Sequence, residues 1–268
     1  MKSTFQRTDD SAIFIDGWND LAPGLMAGFT TRRGGVSVPP FDTFNLGLHV
    51  TDDQDAVIAN RERLAGLTGF PLANWVSAQQ VHGTEIAVVT EADKGRGAKS
   101  TSDAIQGADG LITNETGIFC TAFFADCVPL YFLDPETRWI GIAHAGWRGT
   151  VNGMAEEMIA KLEKNGVKAE NVLAAIGPSI GPSSYQVDDK VISQIPDGLK
   201  GAVVTRKETG AFLDLQLLNE RILQQAGVPT ENISRTTLCT FQENHLFFSH
   251  RRDHGKTGRM LGFIGWQE

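Results

Sequence analysis

Cysteine is scarce in this 268-residue chain: only Cys120, Cys127 and Cys239 occur, with no C-x-x-C pair. An odd count without paired spacing excludes a disulfide framework and points to a reducing compartment, by default the cytoplasm. It also excludes the usual four-ligand structural zinc site, which is built from close cysteine pairs. Histidine is sparse too. Six residues, none in an H-x-H pattern, are too few for the clustered imidazoles of a multicopper oxidase. Positive charge is in deficit, with 24 Lys and Arg against 32 Asp and Glu and a net charge of −8. Such a surface repels nucleic acid and anionic membranes, so an anionic substrate must be met by a local cluster of Arg or Lys. The longest apolar stretch, residues 118–125, is eight residues long, far short of the ~20 that cross a bilayer. The start, MKSTFQRTDD, lacks the hydrophobic core of a signal peptide. H-E-x-x-H, the P-loop, G-x-G-x-x-G and the H-x-E…P-C-x-x-C deaminase signature are all absent.

Glycine, by contrast, is abundant at 29 residues, which predicts tight turns and close backbone approaches. No repeat or linker divides the chain, so we expect a single domain over 1–268, with 1–24 as an N-terminal extension or first strand. Strand-like runs fall at 25–31, 85–89, 110–113, 118–125, 128–133, 139–143, 172–176 and 260–264. Several are apolar at consecutive positions, as strands covered on both faces require. Helices are expected over 53–68, 150–164 and 214–226, each followed by a glycine or Asn-Gly stop. Residues 93–107 read as a long surface loop. Strands and helices intermix without strict βαβ alternation, which favours an α+β layered fold.

The densest chemical segment is 125–149: Asp126-Cys127 after an apolar strand, then His144-Ala-Gly-Trp-Arg148-Gly149 leading into a helix. A loop feeding a helix N-terminus presents free N–H groups, so Arg148 there suits an anion. A second segment, Gln79-Gln80-Val81-His82-Gly83, adds another imidazole. Two His and one Cys match a catalytic zinc site with an open fourth position. Taken one at a time the residues leave the plainer reading open: Cys127 as a small buried hydrophobe, His82 and His144 as hydrogen-bonded histidines. A third segment, HLFFSHRRDHGKTGR at 245–259, gathers three His and four cations, either as a solvated basic turn or as an anion site. His245, His250 and His254 fit a second metal site poorly. Gly177-Pro-Ser179-Ile-Gly181 matches G-x-S-x-G, but Pro182 and two serines follow where a nucleophile elbow needs a helix, so it reads as a turn. Asn45 and Arg61 are polar residues in otherwise packing-type sequence.

Together these segments resemble the YfiH/laccase-domain family. The matching pieces are FTTRRGGVS from Phe29, FNLGLHV from Phe44, Asn60-Arg61, QQVHGTE from Gln79, ADGLIT from Ala108, ADCVPL from Ala125, AHAGWRG from Ala143, IGPSIGPSSYQV from Ile176, FLDL from Phe212 and FSHRRDHGKTGR from Phe248. The resemblance implies a four-layer α/β/β/α sandwich with mixed sheets and a zinc site at His82, Cys127 and His144, copper being the alternative occupant. It implies phosphorolysis of adenosine, inosine and methylthioadenosine, with adenosine deamination as a second activity. The partners would then be a nucleoside and phosphate, with a monomer favoured. Asn45, Gln79 and Asp126 would orient sugar or base, Arg61 would join them in binding substrate, and Arg148 with Arg251 or Arg252 would clamp phosphate. Ser183, Ser184 and Gln242 stand where the family often has cysteine, so those thiols are not needed for the chemistry. Two rivals remain: a metal-free cysteine amidase using Cys127 and His144, with peptidoglycan precursors as substrate, and a non-catalytic module stapled by metal. A copper polyphenol oxidase is disfavoured.

Overall fold

The computed structural model describes residues 5–7 and 10–268. Of the stretch 1–24, residues 1–4, 8 and 9 lie outside the described residues; the rest supplies the strands Phe5–Arg7 and Ala12–Ile15 and the short helix Trp18–Leu21. Two six-stranded sheets dominate. The first runs, in spatial order, Phe5–Arg7, Ala12–Ile15, Leu25–Thr30, Met260–Trp266, Phe119–Phe124 and Trp75–Ser77. The second runs Ile233–Arg235, Leu173–Ile176, Val128–Leu133, Ile140–Ala145, Gly110–Thr113 and Ile86–Val88. Both are mixed: Phe119–Phe124 pairs antiparallel with Met260–Trp266 but parallel with Trp75–Ser77. A three-stranded ribbon of Gln186–Val187, Gly210–Leu213 and Val204–Lys207 lies apart.

Strand periodicity explains the consecutive apolar runs. In Phe119–Phe124 every residue is buried. Phe119 and Phe123 face the helix Gln54–Thr68 with Leu64 and Trp75, whereas Cys120, Ala122 and Phe124 face the other sheet. Val128–Leu133 behaves alike: Val128, Leu130 and Phe132 meet the helices Met154–Lys164 and Leu215–Gln225, while Tyr131 and Leu133 join the inter-sheet core. Successive side chains point to opposite faces, so a strand covered on both sides must be apolar throughout. The result is a four-layer α/β/β/α sandwich. Truncating an inter-sheet residue such as Phe124 to Ala costs about 3–5 kcal/mol.

The helix Gln54–Thr68 starts and stops as expected: Asp53 accepts from the Asp55 N–H, and Gly69 ends it at φ 75°. Leu215–Gln225 is capped by Asp214, which accepts from the Leu217 N–H. The helix expected over 150–164 is two pieces, Trp147–Val151 and Met154–Lys164, separated at Gly153 with φ 94°. The glycine adopts a left-handed conformation that breaks the ladder and re-aims the chain. The strand expected at 139–143 extends through Ala145, so His144 lies within it. Weakly patterned pieces escaped the sequence reading, among them the edge strand Ile233–Arg235 and the helices Asp189–Gln194 and Asp197–Val203.

Candidate metal centre

The site forms where the chain crosses between the two sheets. Residues 125–127 carry it from Phe119–Phe124 to Val128–Leu133, and residues 78–85 carry it from Trp75–Ser77 to Ile86–Val88. Both crossings occur at the same end of the sandwich. Val128 pairs with Ala145 across the ladder, so the next step places Cys127 opposite Gly146. A Cβ on Gly146 would lie 2.9 Å from the Cys127 Sγ and 3.2 Å from the His82 Cδ2. Only glycine leaves room for both groups. His144 shares its strand face with Ile140 and Ile142 of the inter-sheet core, and at the strand end that face opens toward Cys127.

One ligand atom from each of His82, Cys127 and His144 can be chosen so that all lie within 4.8 Å of one another. His144 is buried, Cys127 half-buried and His82 exposed, leaving the group accessible from one side. Among the described residues no other group of three or more His, Cys, Asp or Glu is close enough to hold an ion; His245, His250 and His254 do not form one. Two soft-to-borderline nitrogens and a thiol in a three-cornered set suit zinc with one open position.

Asp109, which sequence reasoning did not single out, builds this centre. Its buried carboxylate accepts from the Val81, His82 and Gly83 N–H groups at 2.9, 3.1 and 2.8 Å. It also meets the His144 Nδ1 at 2.8 Å. That contact fixes the imidazole so that Nε2 turns toward Cys127, the arrangement that a carboxylate bonded to the far ring nitrogen imposes on metal-binding histidines. The three N–H bonds also hold His82 at φ 60°, a left-handed conformation costing a non-glycine residue roughly 1–2 kcal/mol. The available signal was the ADGLIT motif itself, an Asp just before a strand.

Without metal, burial alone would raise the Cys127 thiol, but His144 and His82 outweigh it and bring it down to about 6. Burial alone would lower His144, yet the Cys127 thiolate and Asp109 push it up to about 9. The pair is thus a thiolate beside an imidazolium. Burial also acts to raise Asp109, but His144 and the loop N–H groups hold it below the usual carboxylate value.

The group opens into a cavity of about 720 Å³, within the usual range for small-molecule sites. Arg61, Gln79, Asp126, Arg148 and Arg251 line it. Arg148 and Arg251 are exposed and lie over the rings of Trp147 and Tyr185 at 4.7 and 5.2 Å. Arg61 is buried, 1% exposed, and burial lowers it to about 9, so it stays protonated at neutral pH. Asp126 sits at φ 85° with both carboxylate oxygens used: Thr240 Oγ1 donates at 2.7 Å, Ser249 Oγ at 3.0 Å and the Arg251 N–H at 2.7 Å. It therefore fastens the 249–251 turn to the Cys127 crossing. Asn45 and Arg252 do not line the cavity. Asn45 Oδ1 accepts from the Gly47 and Arg259 N–H groups, while Arg252 donates to Asp253 and to the Thr240, Phe241 and Phe247 carbonyls. These bonds tie both side chains to the protein around the cavity. Residues 93–107 are a packed wall rather than an outlying loop: Gly97, Thr101 and Ala104 line the cavity, and Arg61 donates to the Gly97 and Ala98 carbonyls. Ser179 is fully buried, accepts from Gln216 Nε2 at 3.0 Å and bridges to Cys239, so it presents no nucleophile; the turn expected within the G-x-S-x-G segment falls just after it, at 182–184.

Fold and site together define a four-layer α/β/β/α protein with a three-ligand centre at the wall of an arginine-lined cavity. The chain belongs to the family described as multi-copper polyphenol oxidoreductase laccase, whose model matches residues 26–267. It is 43% identical over 271 residues to the purine nucleoside phosphorylase YlmD of Bacillus subtilis, covering 98% of each chain. Its identity to the protein of the same name from Geobacillus stearothermophilus is 46% over 250 residues, covering 91% of each. Among solved structures, the Bacillus licheniformis hypothetical protein YfiH superposes with a TM-score of 0.94 at 42% identity, covering 98% of this chain and 99% of that one. YlmD from Geobacillus stearothermophilus superposes at 0.93, also at 42% identity, covering 99% and 100%. Relatives so named support an enzyme acting on a small molecule. No helix among the described residues is long and apolar enough to cross a membrane.

Proposed function

We propose that this chain is a zinc-dependent purine nucleoside phosphorylase, cleaving adenosine, inosine and methylthioadenosine to base and ribose 1-phosphate, with adenosine deamination as a second activity. The observation that carries the reading is the convergence of His82, Cys127 and His144 on one wall of a cavity lined by four arginines. The names of the relatives support it. His82, Cys127 and His144 would hold the zinc, and Asp109 keeps two of the three in place. Zinc with three protein ligands supplies Lewis acidity at its open position. In phosphorolysis a phosphate oxygen bonds to ribose C1′ as the C1′–N9 bond breaks; the electron pair leaves with the purine, which takes up a proton. The chain must therefore bind an anion beside the sugar and exclude water, which the cavity and its arginines suit. Trp147 and Tyr185 at the opening offer faces for the base. Incubating metal-replete protein with adenosine and phosphate should give adenine and ribose 1-phosphate, with inosine from the second activity. No product from protein containing one zinc per chain would overturn the proposal.

A second reading rests on the same centre without metal. Cys127, His144 and Asp109 form a thiolate–imidazolium pair backed by a carboxylate, the arrangement of a nucleophilic cysteine amidase. Stoichiometric zinc in purified protein counts against it. Polyphenol oxidation by several coppers has no support among the described residues, which offer one three-ligand group.

A further inference from the structure

Resting on the phosphorolysis reading, we propose that phosphate is clamped by Arg259, with His49 and the buried charge of Arg61 beside it, on the wall around Phe123, and not by the exposed arginines at the opening. A chain of net charge −8 places Arg61, Arg148, Arg251 and Arg259 around one cavity, against a single lining carboxylate, Asp126. That carboxylate is already held by Thr240, Ser249 and the Arg251 N–H.

Arg61 is 1% exposed. It donates to the Leu46 carbonyl from Nε and Nη2 and to the Gly97 and Ala98 carbonyls from Nη1. It has no carboxylate partner among the described residues. A buried cation satisfied only by carbonyl dipoles lacks its counter-charge, and that charge is the natural role of an anionic ligand. Arg61 lies 4.9 Å over the Phe123 ring, and the His49 ring meets the same ring edge-on at 5.6 Å.

Arg259 completes the wall. Its Nη1 donates to the Thr257 and Gly258 carbonyls at 2.8 and 3.0 Å. Nε and Nη2 have no protein partner among the described residues, which leaves the forked edge that suits phosphate oxygens. Gly47 brings Arg259 and His49 together: a Cβ there would lie 2.8 Å from Arg259 Cγ and 3.3 Å from His49 Cε1. Asn45 Oδ1 anchors the Arg259 N–H at 2.8 Å, so Asn45 is a positioning residue for the clamp. Arg148 and Arg251 are exposed and stacked on aromatic rings, and Arg251 also donates to the Gln186 carbonyl at 2.8 Å. Arg259 thus takes phosphate, with the Arg61 charge beside it, and leaves the aromatic opening to the purine.

The test measures inorganic phosphate binding to metal-free protein by calorimetry, so that no metal competes as the anion's ligand, alongside phosphorolysis kinetics of the zinc-loaded enzyme. Arg259→Gln should weaken phosphate binding by ~10-fold or more and raise KM for phosphate in step, with KM for nucleoside and zinc content unchanged. Arg259→Lys keeps the charge but loses the fork; a loss of ~3-fold or more is expected, and this variant carries the test if the glutamine variant misfolds. Wild-type phosphate affinity in a folded Arg259 variant overturns the clamp, even if nucleoside is cleaved. Phosphate binding that depends on Arg259, in a protein that cleaves no nucleoside, upholds the clamp and overturns the phosphorolysis reading instead.

Discussion

Asp109→Asn isolates the support of the centre from its ligands. The substitution keeps the side chain's shape but replaces one acceptor oxygen with an NH₂ donor. Four groups now point at the carboxylate: the Val81 and Gly83 N–H at Oδ2, and the His82 N–H and His144 Nδ1 at Oδ1. Whichever way the amide turns, two of these donors face an NH₂ group. Hydrogen bonds to a charged group contribute about 1.5–3 kcal/mol each, and part of that loss falls on the placement of His82 and His144. Removing such a supporting group typically costs 10–100-fold in metal affinity, or about 1.4–2.8 kcal/mol. Competition against a chromophoric chelator would read the zinc affinity, and thermal unfolding of metal-free protein the stability. The pH dependence supplies a second signature. The folded pKa of Asp109 is depressed, so its stabilisation is complete above the unfolded carboxylate pKa and is lost as pH falls through the folded one. The variant should therefore unfold with a shallower acid limb. Zinc affinity within twofold of wild type would refute the claim that Asp109 holds the ligands.

Gly146→Ala places a methyl 2.9 Å from the Cys127 Sγ and 3.2 Å from the His82 Cδ2; zinc affinity and kcat should fall ~10-fold or more with the fold retained, checked by metal titration beside circular dichroism. Asp126→Asn keeps a residue that tolerates φ 85° but loses the charge that holds Thr240, Ser249 and the Arg251 N–H; urea denaturation should show a loss of about 2–4 kcal/mol. In metal-free protein the Cys127 thiol is held at about 6, so its alkylation rate should rise with pH to a plateau by neutrality, and zinc should block it. A midpoint near the ordinary thiol value of ~8.5 would show that His144 does not stabilise the thiolate.

How much of this was legible in the sequence depended on range. Helix Gln54–Thr68 announced itself through Asp53 and Gly69, and the strands at 110–113 and 128–133 through apolar runs, because caps and two-face burial are local properties. The break at Gly153 was hidden, since the apolar spacing of Val151, Met154 and Met158 continues across it. The three ligand residues drew notice as types in glycine-bearing segments, but types do not meet without a register. Antiparallel pairing of Val128 with Ala145 set Cys127 against Gly146, and two crossings at one end of the sandwich delivered His82.

By itself the chain determined composition, charge, the covered strands and the family-like motifs, all carried by neighbours a few residues apart. Tertiary structure alone decided which polar residues face the cavity. Asp109 became the hub because its carboxylate lies beneath a loop some 26–28 residues earlier and beside an imidazole 35 residues later. Asn45 and Arg252 became struts, and Arg259 kept an open guanidinium edge, because hydrogen-bond partners are assigned by folding in space, not by order along the chain.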